Sequence, residues 1–135
     1  MALARRKLVR DRAGNRCEYC RISQDDVRRF PFHVEHIVPR KHKGSSKLSN
    51  LCWSCHLCNL FKSSNLSGFD PRSGNVVRLF DPRRQSWRRH FRWHGPRLVG
   101  RTACGRATVE VLRMNVPHRV RLRQLLIESG LFPAD

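Results

Sequence analysis

The chain is short of acidic residues, of long apolar runs and of repetition. Only 10 of its 135 residues are Asp or Glu, against 28 Lys and Arg, which leaves a formal net charge of +18. A surface this basic repels itself unless a polyanion neutralises it, so nucleic acid is the expected partner; a basic ribosome-associated protein is the blander alternative. No apolar stretch approaches the roughly 20 residues that span a bilayer, which excludes a helical membrane segment. No internal repeat or low-complexity tail is present. The chain opens without a charged-then-apolar leader, so the expected location is intracellular and cytoplasmic. Its length allows one compact domain, or a small stapled core with an appended element, and excludes two large domains.

Cysteine, by contrast, is plentiful, with six residues. A reducing compartment disfavours structural disulfides and favours metal ligation. Four of the six form two C-x-x-C pairs, Cys17 with Cys20 and Cys55 with Cys58. Each pair makes a knuckle whose thiolates converge on one ion, and two knuckles complete a tetrahedral four-cysteine site for structural Zn2+. Cys52 and Cys104 belong to neither pair and read as small buried apolar residues.

Local patterns give an α+β chain. Leu3 to Gly14 alternates basic and apolar residues at helical spacing and stops at Gly14-Asn15. Phe32 to Val38 reads as a strand ended by Pro39, followed by a polar loop containing Gly44-Ser45-Ser46. Leu51 to Ser54 reads as a returning strand, and Cys55 to about Ser64 as a short helix. Such a unit buries too little surface to be stable alone, which accounts for a metal staple. Beyond Leu66, turn signals at Asp70-Pro71, Ser73-Gly74 and Asp81-Pro82 suggest irregular structure with one or two strands. Trp87, Phe91 and Trp93 alternate with basic residues, a pattern that suits either base stacking or a core of aromatics between solvated arginines. Thr102 to Met114 and Pro117 to Ser129 read as helices, with Val109, Leu112, Val116, Val120, Leu125 and Leu126 as their packing face. The expected organisation is a core over 1–66, comprising an N-terminal helix and a zinc-stapled finger, and a basic extension over 67–135.

The segment from Phe32 to Lys62 carries the chemistry. Glu35 stands beside His36, and Asn50 and Asn59 follow, the latter next to Cys58. A carboxylate beside an imidazole, followed by two amides, can hold a hard cation on a phosphate and activate a water beside it. His36 suits a general base, because neutral imidazole takes a proton near pH 7. Neighbouring strand residues point to opposite faces, so Glu35 and His36 share a site only where the strand bends. His33, two residues earlier on the face of Glu35, is a further candidate ligand. The Asn50 amide can both donate and accept, and so can tie the Arg40 to Ser49 loop to the strand that carries His36. Lys62, one helical turn after Asn59, and the loop residues Arg40, Lys41 and Lys43 are candidates for gripping phosphates.

Glu35-His36-Ile37, Pro39, Gly44, Asn50-Leu51, Cys55-x-x-Cys58-Asn59 and Lys62, with Cys17-x-x-Cys20 upstream, resemble the HNH endonuclease family of the ββα-metal or His-Me finger fold. The resemblance covers about a third of the chain, and the C-terminal half is similar to a tail found in small bacterial proteins of that family. It implies a metal-dependent nuclease, of bacterial or phage origin, that hydrolyses DNA phosphodiesters to 5′-phosphate and 3′-hydroxyl ends, with RNA as the alternative substrate. His36 would be the base and Asn50 the central asparagine of the motif, while Glu35 and Asn59 would hold the cation. Two protein oxygens with water suit Mg2+ or Mn2+ better than zinc. A single site nicks one strand, so double-strand cleavage would require a homodimer or a partner protein. The competing reading is a non-catalytic, zinc-stabilised nucleic-acid-binding module.

Overall fold

The computed structural model describes residues 2–133. Its N-terminal part is a ββα finger. Strands β1 (His33–His36) and β2 (Leu51–Ser54) pair antiparallel, with Glu35 opposite Cys52 and His36 opposite Leu51, and helix α2 (His56–Lys62) follows directly. All four β2 residues are buried, because α1 (Leu3–Arg12) packs against the same short hairpin.

Helix α1 has little apolar face to offer. Val9 is its one buried residue, whereas Leu3 and Leu8 stay exposed. Arginines attach it instead. Arg6 donates to the Phe32 carbonyl and lies over the Trp53 ring, and Arg12 donates to the carbonyls of Leu48 and Leu51.

The C-terminal half holds more strand than its turn signals suggest. Antiparallel hairpins β3 (Ser67–Phe69) with β4 (Val76–Arg78) and β5 (Phe91–His94) with β6 (Arg97–Gly100) flank the single-turn helix α3 (Trp87–His90). Asp70 organises the first hairpin: it is fully buried and accepts from Arg72 N, Ser73 Oγ and, in bidentate fashion, Arg106. Arg106 lies on α4 (Ala103–Val111), whose start is capped by Thr102 accepting from Gly105 N.

The final helix, α5 (Pro117–Glu128), corrects the expected packing face. Leu125 is 56% exposed, while Arg119 and Arg123 are buried beside Leu126. Buried guanidinium groups persist only where every donor is answered. Arg123 reaches the carbonyls of Pro96 and Met114, and Arg119 reaches that of Leu112. A single core joins both halves of the chain, with Tyr19, Phe32 and Trp53 from the finger in the same cluster as Phe80, Phe91 and Leu112. Polar ties cross the same boundary: Trp87 Nε1 donates to the Tyr19 carbonyl, and Arg83 pairs with Glu18.

Candidate active site and metal centre

Cys17, Cys20, Cys55 and Cys58 are all buried, and their sulfurs lie within 4.8 Å of one another. A tetrahedral centre of one zinc and four thiolates, with bonds near 2.3 Å, places its sulfurs roughly 3.8 Å apart, and Cys20 and Cys55 are 3.7 Å apart. Hydrogen bonds from Cys17, Cys55 and Cys58 hold the Cys20 thiol well below its ordinary ionisation range, whereas burial pushes Cys17 well above it. Four clustered soft donors, one already inclined to ionise, fit a metal ion such as zinc. Sequence reasoning missed Arg119, whose Nη2 donates to Cys58 Sγ at 3.0 Å from a position 61 residues away. Four thiolates around a dication would keep a net negative charge, part of which this guanidinium would offset.

Next to this centre, the finger brings Glu35 and Lys62 together. Their ion pair is 2.6 Å long, with the side chains 6% and 2% exposed. The other Glu35 oxygen accepts from Tyr19 Oη at 2.7 Å and Cys52 Sγ at 3.2 Å. Burial, with the added repulsion of Glu35, holds Cys52 well above its ordinary range, and burial does the same to Tyr19 with Cys52 and Glu35 adding to it. Both therefore stay protonated and donate. Lys62 corrects an expectation: its ammonium faces inward, to Glu35 and the Ile37 carbonyl, rather than outward to a flanking phosphate. Attraction to a desolvated carboxylate is much stronger than to a solvated phosphate, and that decides where the side chain points. His33 likewise turns to His56, at 3.3 Å, and not to Glu35.

His36 lies on the more open side of β1, with Nε2 2.9 Å from Ser46 Oγ. Partial burial and then the charge of Arg40 lower its pKa below the ordinary histidine value; Glu35 opposes this shift and Lys62 adds to it. The imidazole is therefore neutral at pH 7. Asn50 links strand and loop: Oδ1 accepts from Val38 N at 2.9 Å, and Nδ2 donates to the carbonyls of Val38 and Ser45. Gly44 makes the close approach feasible, since a Cβ there would lie 1.7 Å from the Val38 oxygen. Arg5 also holds this loop through the Ser46 carbonyl. Arg40, Lys41 and Lys43 are exposed on the same loop. Asn59 is half-buried on α2, one turn before Lys62, and its side-chain amide has no hydrogen-bond partner among the described residues.

Residues 17–65, which hold both cysteine knuckles, the β1–β2 hairpin and α2, match the model of the HNH endonuclease family. More broadly, the chain is similar to the Septu protein PtuB of Bacillus thuringiensis, with 26% identity over 117 residues, 85% of this chain and 42% of that relative. The chain thus spans less than half the length of the relative it matches. No solved structure matches it. No described helix is long and apolar enough to cross a membrane.

Proposed function

We propose that the protein is a divalent-cation-dependent HNH endonuclease that hydrolyses DNA phosphodiesters, nicking one strand per active site. The observation that carries the reading is the imidazole of His36 on the open side of β1, held to Ser46, with the exposed Arg40, Lys41 and Lys43 on the adjoining loop. In this reading His36 takes a proton from a water that attacks phosphorus, and the 3′ oxygen leaves from the opposite side. Asn50 aims the imidazole by fixing the loop against Val38. Arg40, Lys41 and Lys43 hold flanking phosphates and orient the strand without reading its sequence.

Glu35 and Asn59 would hold Mg2+ or Mn2+, which when bound supplies charge neutralisation at the phosphate and the leaving oxygen. Glu35 would have to exchange its Lys62 contact for the cation, since its second oxygen already accepts from Tyr19 and Cys52, and Asn59 on α2 would add an amide oxygen. Tyr19 then acts as a positioning residue that holds the Glu35 carboxylate in place.

One observation favours a second reading. Lys62 already neutralises Glu35, so the finger is electrostatically complete without a catalytic cation, as a zinc-stabilised nucleic-acid-binding module would be. Supercoiled-plasmid cleavage by the zinc-loaded protein and by His36→Ala, with Mg2+, Mn2+ or neither, separates the two. Metal-dependent nicking that falls by at least about a hundredfold in His36→Ala, the scale of general-base catalysis, supports the nuclease. Equal DNA binding by both proteins without cleavage by either supports the binding module. RNA as substrate, and a homodimer or partner protein for double-strand cuts, are tested by the same assay with RNA and by the ratio of linear to nicked product.

A further inference from the structure

A cleft of about 440 Å³ that shares no residue with the Glu35 to Lys62 site opens between the first zinc knuckle and the C-terminal half. Five arginines line it: Arg16 and Arg21 flank Cys17 and Cys20, and Arg88, Arg92 and Arg101 come from the α3 to β6 region. No acidic residue lines the cleft, and among the described residues none of the five arginines has a carboxylate within ion-pair distance. Like charges converging without a counterion repel one another, and an anionic ligand relieves that repulsion.

Apart from Pro133, the rest of the wall is aromatic and firmly held. Trp87 and Phe91 are 9% and 1% exposed, and Trp93 is half-buried beside them. Trp87 is pinned by its hydrogen bond to the Tyr19 carbonyl and by ring contacts with Phe91 and Trp93 at 5.2 and 5.7 Å. The guanidinium of Arg21 lies 5.1 Å over the Trp87 ring. Two more arginines are set by carbonyls, Arg16 on that of Arg21 and Arg101 on that of Arg88. Arg88 and Arg92 have exposed side chains on the rim.

Trp87 and Phe91 also serve the core, so the surface left for a ligand is Trp93 and the arginines; phosphate alone would leave the Trp93 face unused, and an aromatic metabolite would leave five positive charges unanswered. A nucleotide unit with its base unstacked satisfies both, because bases stack on aromatic rings and guanidinium planes while phosphates pair with arginine. A duplex keeps its bases stacked and presents only phosphate here. The volume lies at the small end of ligand sites, roughly 300–1,000 Å³, which suits one nucleotide and not the width of a duplex. We infer that the cleft between the first knuckle and the β5–β6 hairpin binds single-stranded nucleic acid, seating one unstacked base against the half-buried Trp93 and the Arg21 guanidinium, and its flanking phosphates on the arginines. The inference deepens the nucleic-acid reading above, yet it does not involve His36.

The test is fluorescence anisotropy on the zinc-loaded full chain without Mg2+ or Mn2+, so that binding is read apart from cleavage. The probe is a labelled oligothymidylate of about 12 nucleotides, within the site sizes of single-strand binders, compared with an abasic strand of equal length. Thymidylate is expected to bind at least about fivefold more tightly than the abasic strand, as one stacked base requires. The double variant Arg88→Gln/Arg92→Gln removes two rim charges that make no internal contact. It should lower the slope of log affinity against log salt by about 1.4, at roughly 0.7 per phosphate contact on a single strand. Equal affinity for thymidylate and abasic strands, or an unchanged salt slope in the double variant, overturns the inference. Plasmid nicking could persist in that event, so the failure of this site is distinguishable from failure of the nuclease reading.

Discussion

The Glu35–Lys62 pair shows how one buried contact decides the behaviour of a site. Both side chains are almost wholly removed from water, so removing one leaves an uncompensated charge in a poorly polarisable place. Lys62→Met is expected to destabilise the zinc-loaded protein by about 3 kcal/mol, whereas Glu35→Gln/Lys62→Met should return to within about 1 kcal/mol of wild type. Urea unfolding of the four proteins measures the coupling; a double variant no more stable than Lys62→Met would mean that the lysine acts by packing alone. The motif makes both residues legible in the sequence, but not that they meet. Helical spacing places Lys62 on the face of Asn59, and charge alone points an isolated lysine outward. The chain buries it because Tyr19, Cys52 and the Ile37 carbonyl complete a polar pocket that the carboxylate alone would not form.

Helix α5 is legible as an element and misread as a surface. Pro117 at its start and Gly130 beyond its end mark it correctly, yet an apolar periodicity cannot anticipate that Arg119 and Arg123 face inward, because the carbonyls and cysteine sulfur that satisfy them lie in other segments. Arg119 is therefore expected to stabilise the metal centre it touches. Arg119→Gln should speed removal of zinc by a chelator roughly tenfold, with Arg119→Lys between it and wild type, as for other residues that contact metal ligands; an unchanged rate would show that the arginine serves only to anchor the helix. The β3–β4 hairpin is held to α4 by Asp70, whose pKa lies well below the ordinary carboxylate value because of Arg106 first, with Ser73 and Arg72 assisting and burial opposing. A carboxylate lowered on folding contributes stability that is full above its unfolded pKa of about 4 and is lost as pH falls through the folded value. Asp70→Asn should lower the thermal midpoint at pH 7 and flatten its decline below pH 4; parallel acid profiles for the two proteins would contradict this assignment.

Cysteine knuckles, finger and C-terminal half share one core, so a metal bound by the four cysteines is expected to support more than the finger. Cys58→Ser removes a metal ligand that neighbours Asn59 and receives Arg119. It should abolish cleavage and also loosen the environment of Trp87 and Trp93, seen as a red shift in tryptophan emission and a broadened unfolding transition. A variant that loses zinc yet retains full cleavage would separate the two centres. The same continuity explains why the cleft lined by Arg16, Arg21 and Trp87 draws on both halves of the chain. Much of the finger follows from local pattern: cysteines at knuckle spacing, a strand ended by Pro39, a returning strand at Leu51 to Ser54, and a Glu-His pair with asparagines at motif spacing. These signals lie within about forty-five residues and depend on nearest neighbours, so the order of residues alone specifies them. The burial of Lys62 and Arg119 and the arginine-lined aromatic cleft arise between segments far apart in the chain: Arg119 and Cys58 are separated by 61 residues, and Trp87 and Tyr19 by 68. A charged side chain goes inside only when distant backbone carbonyls and counter-charges are assembled around it, and no local pattern records where those partners will come from.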